Sequence, residues 1–310
     1  MSERTAPIFV LAGPTASGKT SAGIALARRI GAEIISADSR QVYRGLDIGT
    51  AKPTPAQLRS VRHHGIDICD PAETYTAGRF LRDTERWTEE IRSRGNRVLL
   101  VGGTGLYIRA FVDGLFEGPA SDPALRATLE ERIREQGLPV LVEELRVLDP
   151  DAAASIDARN PVRVIRALEV CLLTGQRYSV LRTSMRPGAG REAVLFGLRW
   201  ERAALHRRIG RRVDAMIDAG LVEEVRRLRD EGVDRSCTAM NAVGYQDILS
   251  YLEGSSSLAD SIEAIKAGTR QYARRQMTWF RKETRLRWID MDEGMSDDDV
   301  ARRMIAMADG

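Results

Sequence analysis

The sequence predicts an α/β fold: a parallel sheet flanked by helices, with an inserted all-helical domain. Short apolar runs alternate with amphipathic helical patterns, an order typical of parallel sheets covered on both faces. A glycine-rich loop joins the first run to the first helix. A third observation, successive helical patterns without strands from residue 121 onward, predicts the insertion. The length of 310 residues suits two domains, or one domain with an insertion.

Three short apolar runs in the first part of the chain are predicted as buried strands, namely Ile8–Ala12, Glu33–Ala37 and Arg97–Val101. Ligands of such sheets bind beyond the carboxyl ends of the strands. Gly13, Asp38 and Gly102 follow these strands, so we expect them to meet at one edge of the sheet. Helical patterns that end at Gly31 and Gly95 separate the strands.

Consecutive helical patterns mark the insertion. Ser121–Pro123 has the composition of a helix start, and Gly137 follows as a stop. A second helix is predicted from Asn160 to a stop at Gly175. We therefore assign residues 121–190 to a helical insertion.

The α/β pattern resumes after the insertion. The predicted elements are a strand over 193–198, helices over 201–230 and 258–282, and a last short strand over 287–290. Residues 1–120 and 191–310 are therefore expected to form one core, interrupted by the insertion.

The composition is that of an ordinary folded protein, with 43% hydrophobic and 29% charged residues. The net charge of +3 is too small to indicate a nucleic-acid-binding protein. The charges are segregated, however, with seven cations and one glutamate between Arg270 and Arg287. That segment could bind RNA through charge and aromatic stacking, but we favour core contacts of an amphipathic helix for its aromatic residues.

Several classes of protein are disfavoured. The three cysteines, Cys69, Cys171 and Cys237, lack the close spacing of zinc sites and redox motifs, so we expect reduced structural thiols. The three histidines also lack ligand spacing, and we assign them no catalytic role. Neither a signal peptide nor a membrane-spanning apolar run is present, so we expect a cytoplasmic protein without membrane association.

The stretch GPTASGKT, Gly13–Thr20, matches the P-loop pattern and lies between a predicted strand and a predicted helix. Backbone N–H groups and the helix N-terminus can hold a phosphate chain, Lys19 supplies a positive charge, and the Thr20 hydroxyl can bind Mg²⁺. We therefore expect a P-loop NTPase-like sheet that binds a phosphorylated ligand. The strand Arg97–Val101 ends in glycines rather than in a magnesium-binding carboxylate, which disfavours a motor-type ATPase.

Asp38 ends a predicted strand at the phosphate-binding edge. Its carboxylate can bind a metal indirectly, or accept a proton from an incoming nucleophile. The alternative is a structural role, as the cap of a turn formed with Ser39.

Four arginines begin the helix after Leu205. Arg208 and Arg212 share one helical face, and Arg207 and Arg211 share another. One face can bind a leaving phosphate group, and an ordinary solvated basic surface is the alternative.

Five segments carry more specific information than the P-loop alone, which unrelated enzymes also use. They are GPTASGKT, SADSRQVYRGLDIGTAKP, LLVGGTGLY, NPVRVIRALEV and RQYARRQMTWFR. In this order they resemble the family of bacterial tRNA dimethylallyltransferases, and the resemblance covers nearly the whole chain.

The resemblance implies transfer of a dimethylallyl group from dimethylallyl diphosphate to the exocyclic N6 amine of the adenosine that follows the anticodon in tRNA. Diphosphate is the leaving group, and the adenosine must be extruded from the stem–loop to react. The implied catalytic residues are Asp38 as general base, Thr20 with its Mg²⁺, and Thr104. The implied diphosphate-binding residues are Gly13, Pro14, Thr15, Ala16, Ser17, Gly18, Lys19 and Thr20, with Arg208 or Arg212, of which we slightly prefer Arg212.

The resemblance also assigns contacts with the tRNA anticodon stem–loop. The implied residues are Asp38, Ser39, Arg40, Gln41 and Thr104 at the target nucleotide, Arg126, Val162, Arg163, Val164, Ile165 and Arg166 in the insertion, and Asn241, Ala242, Val243, Gly244, Tyr245 and Gln246 in the core. The family commonly has a basic residue where this chain has Gln246, which removes one phosphate contact. The expected partners are tRNA and dimethylallyl diphosphate. We also expect the chain to be a monomer.

Two other functions remain open from the residues. A small-molecule or nucleotide kinase would bind ATP at the same loop and use Asp38 to activate a hydroxyl. An RNA-binding module with a relic nucleotide loop would need no catalytic residues, and the intact Lys19–Thr20 pair argues against it.

Overall fold

The computed structural model describes residues 7–116, 118–183 and 192–309. Within them one parallel sheet is formed by β1 Ile8–Ala12, β2 Ala32–Ala37, β3 His63–His64, β4 Arg97–Gly102, β5 Ala193–Trp200 and β6 Arg287–Met291. The spatial order is β3-β2-β4-β1-β5-β6. The predicted strands and their parallel arrangement are confirmed. The short edge strand β3 was not predicted, because two residues carry no readable periodicity.

Helices connect the strands and extend the fold. The first group is α1 Lys19–Ile30, α2 Pro55–Ser60, α3 Ala77–Ser93 and α4 Gly105–Asp113. The second group is α5 Pro123–Gln136, α6 Leu138–Leu148, α7 Pro150–Ser155, α8 Pro161–Thr174 and α9 Tyr178–Thr183. The third group is α10 Arg202–Asp218, α11 Leu221–Asp230, α12 Tyr245–Leu252, α13 Leu258–Phe280 and α14 Asp297–Asp309, with a 3-10 helix, Thr238–Asn241, before α12.

The sheet has a separate apolar core on each face. Successive strand residues point to opposite faces, so Val10 and Leu100 pack with α3 and α10–α13 on one side. Phe9 and Leu99 pack with α1 and α14 on the other. Both faces of the sheet are therefore buried from solvent, as expected of a parallel sheet.

The chain divides into two compact units, Met1–Val112 with Gly190–Gly310, and Asp113–Ala189. The helical unit has a core of its own, formed by α5, α6, α7 and α8. Its start differs from the residue 121 expected from the sequence, because the segment before α5 packs on the helices: the ring of Phe116 contacts that of Tyr178, and Pro119 O accepts a hydrogen bond from Arg166 at 3.0 Å. These contacts carry no periodicity that a sequence pattern would show.

A buried carboxylate connects β2 to its neighbours. Glu33 accepts hydrogen bonds from Arg94, from Asn96 and, across 2.7 Å, pairs with His64 on β3. Burial alone would raise the pKa of Glu33, but these hydrogen bonds outweigh burial and lower the pKa to about 2. His64 thus has a structural position at the sheet edge.

The three cysteines agree with the expectation of unpaired thiols. Cys69, Cys171 and Cys237 are free thiols. Over the three described ranges, every helix is too short or too polar to traverse a lipid bilayer.

Candidate active site

The loop Gly13–Thr20 connects β1 to α1 at the carboxyl edge of the sheet. Ala16 and Gly18 have positive φ angles of 62° and 92°, and Gly18 caps the N-terminus of α1. Such left-handed residues turn successive backbone N–H groups toward one side, which produces an anion-binding concavity. A Cβ atom at Gly13 would lie 3.0 Å from Ser17 Oγ, so a side chain there would require Ser17 to shift.

Two side chains of the loop, those of Lys19 and Ser17, supply polar groups. Lys19 Nζ donates to Pro14 O at 2.7 Å. Burial lowers the pKa of Lys19 to about 7, although the negative charge of Asp38 acts in the opposite direction. Ser17 Oγ is buried and has no hydrogen-bond partner among the residues that the structure describes. An unpaired buried hydroxyl in an anion-binding loop is suited to a ligand.

Gln276 of α13 joins the phosphate-binding loop to the loop after β4. Its Oε1 accepts from the backbone N–H of Thr15 at 2.8 Å, and its Nε2 donates to Gly103 O at 2.9 Å. A Cβ atom on Gly103 would approach Nε2 to 2.3 Å, so only glycine fits. Gln276 therefore fixes the separation of the two loops.

Asp38 follows β2 directly. Its Oδ1 accepts from the N–H groups of Arg40 at 2.9 Å and Gln41 at 3.4 Å. The predicted turn cap is thus present, and it uses one oxygen. Oδ2 accepts no hydrogen bond from other described residues and is available to a ligand.

Thr104 holds the Asp38 segment in place. Its Oγ1 accepts from the Ser39 N–H at 3.0 Å, and its own N–H donates to Ala37 O at 3.1 Å. Thr104 is not among the described residues that line the adjacent cavity. Its contacts position Asp38, and the catalytic role expected for Thr104 stays a prediction.

A cavity of about 250 Å³ contains these groups. Its lining includes Thr15, Lys19, Thr20, Asp38, Ser39, Arg40, Gln41, Arg212, Asn241, Ala242, Val243, Tyr272 and Gln276. A second cavity lies on the outer side of the phosphate-binding loop and is lined by Ala16, Ser17, Gly18, Lys19, Thr20, Arg208 and Arg212, among others. Lys19, Thr20 and Arg212 line both, so they stand between the two spaces.

The four arginines of α10 between residues 207 and 212 divide as their helical faces predict. Arg207 and Arg211 are exposed and pair with Glu293. Arg208 Nε donates to Ala16 O at 2.9 Å, and its guanidinium lies 4.2 Å from the centre of the Trp200 ring.

Arg212 differs from Arg208 because no described residue is bonded to its guanidinium. It forms no hydrogen bond or ion pair with the described residues, although it is half-buried. Burial lowers the pKa of Arg212, and the charge of Asp38 opposes that effect. An uncompensated, partly buried guanidinium is a strong site for an anion, and both arginines lie beside the loop.

Glu224 of α11 secures another wall of the cavity. Its Oε2 accepts from the N–H groups of Asp47 at 2.9 Å and Ile48 at 2.7 Å, and its Oε1 accepts from Gly49 at 3.1 Å. The Tyr245 hydroxyl donates to the same oxygen at 2.7 Å. We call residues 47–51 the wall loop, because its residues Gly49, Thr50 and Ala51 line the cavity.

Of the expected tRNA contacts in the helical unit, some are exposed and others are not. Val164 and Ile165 are 1% and 6% exposed and belong to the core of the unit. Their side chains therefore cannot contact RNA in this conformation, which contradicts the expectation for them. They lie on the apolar face of α8, whereas Val162 and Arg163 lie on its exposed face.

Arg126 and Arg166 are occupied by an internal ion pair. Both hydrogen-bond to Glu169, whose side chain is fully buried, at distances of 2.5 to 2.9 Å. Burial alone would raise the pKa of Glu169, but these hydrogen bonds lower it to about 2. The two guanidiniums are anchored to this carboxylate, and their remaining N–H groups are only partly exposed.

The segment Asn241–Gln246 divides in a similar way. Asn241, Ala242 and Val243 line the cavity. Tyr245 is fully buried and packs on Gly49, where a Cβ atom would lie 2.5 Å from its ring, so its expected contact with tRNA is contradicted. Gln246 donates to Met240 O at 3.1 Å, among other contacts, and therefore supports the turn before α12.

Three residues that line or support the cavity, Gln276, Tyr272 and Glu224, were not predicted from the sequence as site residues. Tyr272 lines the cavity from α13, one turn before Gln276, and burial raises its pKa to about 12. The spacing of four residues between Tyr272 and Gln276 places them on one helical face, which is a usable signal in the sequence. Glu224 had no signal, since three of its partners are backbone groups of a distant loop and the fourth is the Tyr245 hydroxyl.

Metal ligands are few. Among the described residues, no cluster of three or more His, Cys, Asp and Glu side chains could hold a metal ion. The Thr20 hydroxyl makes no hydrogen bond with other described residues and lines both cavities. A hydroxyl beside a phosphate-binding loop suits Mg²⁺, which keeps several waters and takes other ligands from substrate phosphates.

Two families of known proteins match the sequence. A family described as IPP transferase matches residues 41–283, and one described as isopentenyl transferase matches residues 6–70.

Individual relatives extend over nearly the whole chain. A tRNA dimethylallyltransferase of Geobacter metallireducens is 45% identical over 289 residues, which are 93% of this chain and 94% of the relative. A protein of the same name from Thermomicrobium roseum is 46% identical over 93% of this chain and 87% of its own length.

Solved structures agree with this likeness. A tRNA isopentenylpyrophosphate transferase from Bacillus halodurans superposes with a TM-score of 0.72 at 39% identity, covering 98% of this chain and 96% of its own. A eukaryotic dimethylallyltransferase, described as acting on tRNA, superposes with a TM-score of 0.82 at 26% identity, covering 97% of this chain and 78% of its own. The P-loop NTPase-like fold predicted from the sequence is thereby confirmed.

Proposed function

Because the chain belongs to the IPP transferase family, we propose that it transfers a dimethylallyl group from dimethylallyl diphosphate to the N6 amine of the adenosine on the 3′ side of the anticodon in tRNA. The chain is an enzyme that modifies tRNA by prenyl transfer. Relatives that match about nine tenths of it are named tRNA dimethylallyltransferase. The resemblance on which the sequence analysis relied is therefore confirmed.

One observation of the site supports the proposed chemistry best. Asp38, whose Oδ2 accepts no hydrogen bond from the described residues, lines the same cavity as two cations, Lys19 and Arg212. The nucleophile must lose a proton to a base, and the leaving group gains negative charge that cations can stabilise. The transfer therefore needs a carboxylate on one side of the reacting carbon and cations on the other. The cavity supplies both.

The donor is bound through its diphosphate. The N–H groups of the loop Gly13–Thr20 and the N-terminus of α1 hold the phosphate oxygens. Lys19 and Arg212 stabilise the negative charge that develops as the C1–O bond breaks, and Arg208 supports the outer side of the loop. The bonding electron pair leaves with the diphosphate, which is not hydrolysed.

The acceptor is a weak nucleophile, since the N6 lone pair is delocalised into the adenine ring. As N6 forms its bond to C1, one of its protons passes to Asp38 Oδ2. The hydrogen bonds from Arg40 and Gln41 to Oδ1 keep the carboxylate oriented before the reaction. Thr104 supports this orientation through Ser39.

Mg²⁺ is part of the proposal. The Thr20 hydroxyl would hold it, together with oxygens of the donor and water. When bound, the ion neutralises charge on the diphosphate and so stabilises the leaving group.

Recognition of the tRNA uses the backbone phosphates and the extruded base. Val162 and Arg163 at the exposed start of α8 are available for the anticodon arm. Ser39, Arg40, Gln41 and the cavity-facing Asn241 are available for the target nucleotide. With tRNA as substrate, we place the enzyme in the cytoplasm, and we propose that it acts as a monomer.

The direct test is incubation of the purified chain with unmodified tRNA, Mg²⁺ and dimethylallyl diphosphate, without ATP. Nucleoside mass analysis should show N6-dimethylallyladenosine at one position. A kinase would instead consume ATP in the presence of some acceptor, and an RNA-binding module would show no turnover. Either result would overturn the proposal.

A further inference from the structure

The face of α10 that carries the diphosphate-binding arginines continues with an apolar residue. Arg208, Arg212 and Met216 are spaced by four residues and therefore lie on one stripe of the helix. Met216 lies one turn, about 6 Å, past Arg212 along the helix axis. It is half-buried, packs against the larger core, and lines the cavity that contains Asp38.

Met216 shares the cavity lining with several apolar residues. They are Val213 of α10, Leu221 of α11, Ala242 and Val243 before α12, and Ile265 of α13. By contrast, the polar groups Asp38, Ser39 and Gln41 come from the loop after β2. An apolar lining is a suitable environment for hydrocarbon and a poor one for an unpaired nucleobase edge.

The reaction geometry requires such a separate space. In the proposed transfer, the breaking C1–O bond and the forming C1–N6 bond lie approximately on one line through C1. The remainder of the prenyl chain must leave that line to the side. We propose that it enters the apolar pocket of α10, and that the Met216 side chain closes this pocket and limits the donor to five carbons.

This inference depends on the proposed function, since it concerns the donor of the same reaction. It adds a residue that determines specificity and does not take part in the chemistry. Discrimination by size in a hydrophobic pocket amounts to roughly 10- to 200-fold per excluded methylene. A pocket that is closed after five carbons should therefore reject a ten-carbon donor strongly.

The test compares dimethylallyl diphosphate with geranyl diphosphate as donors for unmodified tRNA. The full-length wild-type chain should prefer the five-carbon donor by more than about 100-fold in kcat/KM. Met216→Ala should raise kcat/KM for the geranyl donor by at least about tenfold relative to that for the dimethylallyl donor. Met216→Leu, which conserves volume, should keep the wild-type preference.

A matched control changes the opposite side of the cavity. Ile66 lines it from the segment after β3, at the far edge of the sheet from β5 and α10. Ile66→Ala should not open the site to the geranyl donor. The proposal is wrong if Ile66→Ala gains geranyl activity, or if Met216→Ala keeps dimethylallyl activity and gains none.

Folding and function can be separated in this experiment. Thermal melting identifies a Met216→Ala chain that does not fold, and Met216→Val then replaces it with a smaller truncation. Competition by geranyl diphosphate against dimethylallyl diphosphate reports access to the pocket without turnover, and its absence in a folded variant also overturns the proposal. If the wild type transfers neither donor to tRNA, it is the proposed function that fails.

Discussion

Replacement of Gln276 by methionine tests the connection between the two loops of the site. Methionine has a similar length and volume but makes neither hydrogen bond. The change leaves the N–H of Thr15 and the carbonyl of Gly103 without their partner. Thr15 is half-buried and can be rehydrated, whereas Gly103 is buried.

The magnitude follows from these two groups. A lost hydrogen bond costs about 1 kcal/mol, and an unsatisfied buried carbonyl about 1 to 3 kcal/mol. The free energy of unfolding should therefore fall by about 3 kcal/mol. At roughly 2 to 4 °C per kcal/mol for units of this size, Tm should fall by about 6 to 12 °C.

The catalytic effect should exceed what lost stability explains. The loop that binds the diphosphate and the segment that carries Thr104 are no longer held at a fixed separation. Steady-state assays at a temperature where the variant is folded should show a donor KM raised about tenfold, equivalent to 1.4 kcal/mol, and a lower kcat. Gln276→Glu should be intermediate, because it keeps an acceptor for Thr15 but places an oxygen against Gly103 O.

Ser261→Ala is the control on the same helix. Ser261 is buried and donates to Asp247 O at 3.1 Å, outside the cavity lining. This variant should lose about 1 kcal/mol of stability and keep the wild-type donor KM. A Gln276→Met enzyme with unchanged Tm and donor KM would refute the reasoning.

Three further predictions concern the charged groups. Asp38→Asn should slow single-turnover transfer by several orders of magnitude while tRNA affinity is nearly kept; lost tRNA binding with an unchanged rate would contradict this role. Since the pKa of Lys19 is about 7 in the free protein, the diphosphate should raise it on binding, so calorimetry at pH 8 in buffers of different ionisation enthalpy should show proton uptake, and donor affinity should weaken above pH 7. If Lys19→Met still takes up a proton when the diphosphate binds, a group other than Lys19 is responsible. Arg163→Ala should weaken tRNA binding and reduce its salt dependence without lowering Tm, whereas Arg126→Ala should lower Tm, because it removes a partner of the buried Glu169; equal melting of both variants would contradict this division.

The fold could be predicted largely from local patterns. The strands, the loop Gly13–Thr20 and the stops at Gly31 and Gly175 follow from periodicity and from glycine geometry, and the structure has them at those positions. Asp38 was found because it ends a strand at the edge where ligands bind. Such signals lie within a few neighbouring residues.

The contacts that position the site were not predictable in the same way. The backbone partners of Gln276 lie 173 and 261 residues away in the sequence, and those of Glu224 lie 175 to 177 residues away. Motif resemblance also could not separate exposed from buried members of one segment. The helical period of α8 places Val164 and Ile165 in the core of the helical unit and Arg163 at its surface.

The carboxylate of Glu224 has a thermal consequence. It holds three successive amides of the wall loop from a helix that belongs to the main core. The conformational entropy of these residues is lost when the protein folds, so substrate arrival need not order them. Heating should accordingly leave activity intact until the whole α/β unit unfolds, because the wall loop does not become disordered at a lower temperature.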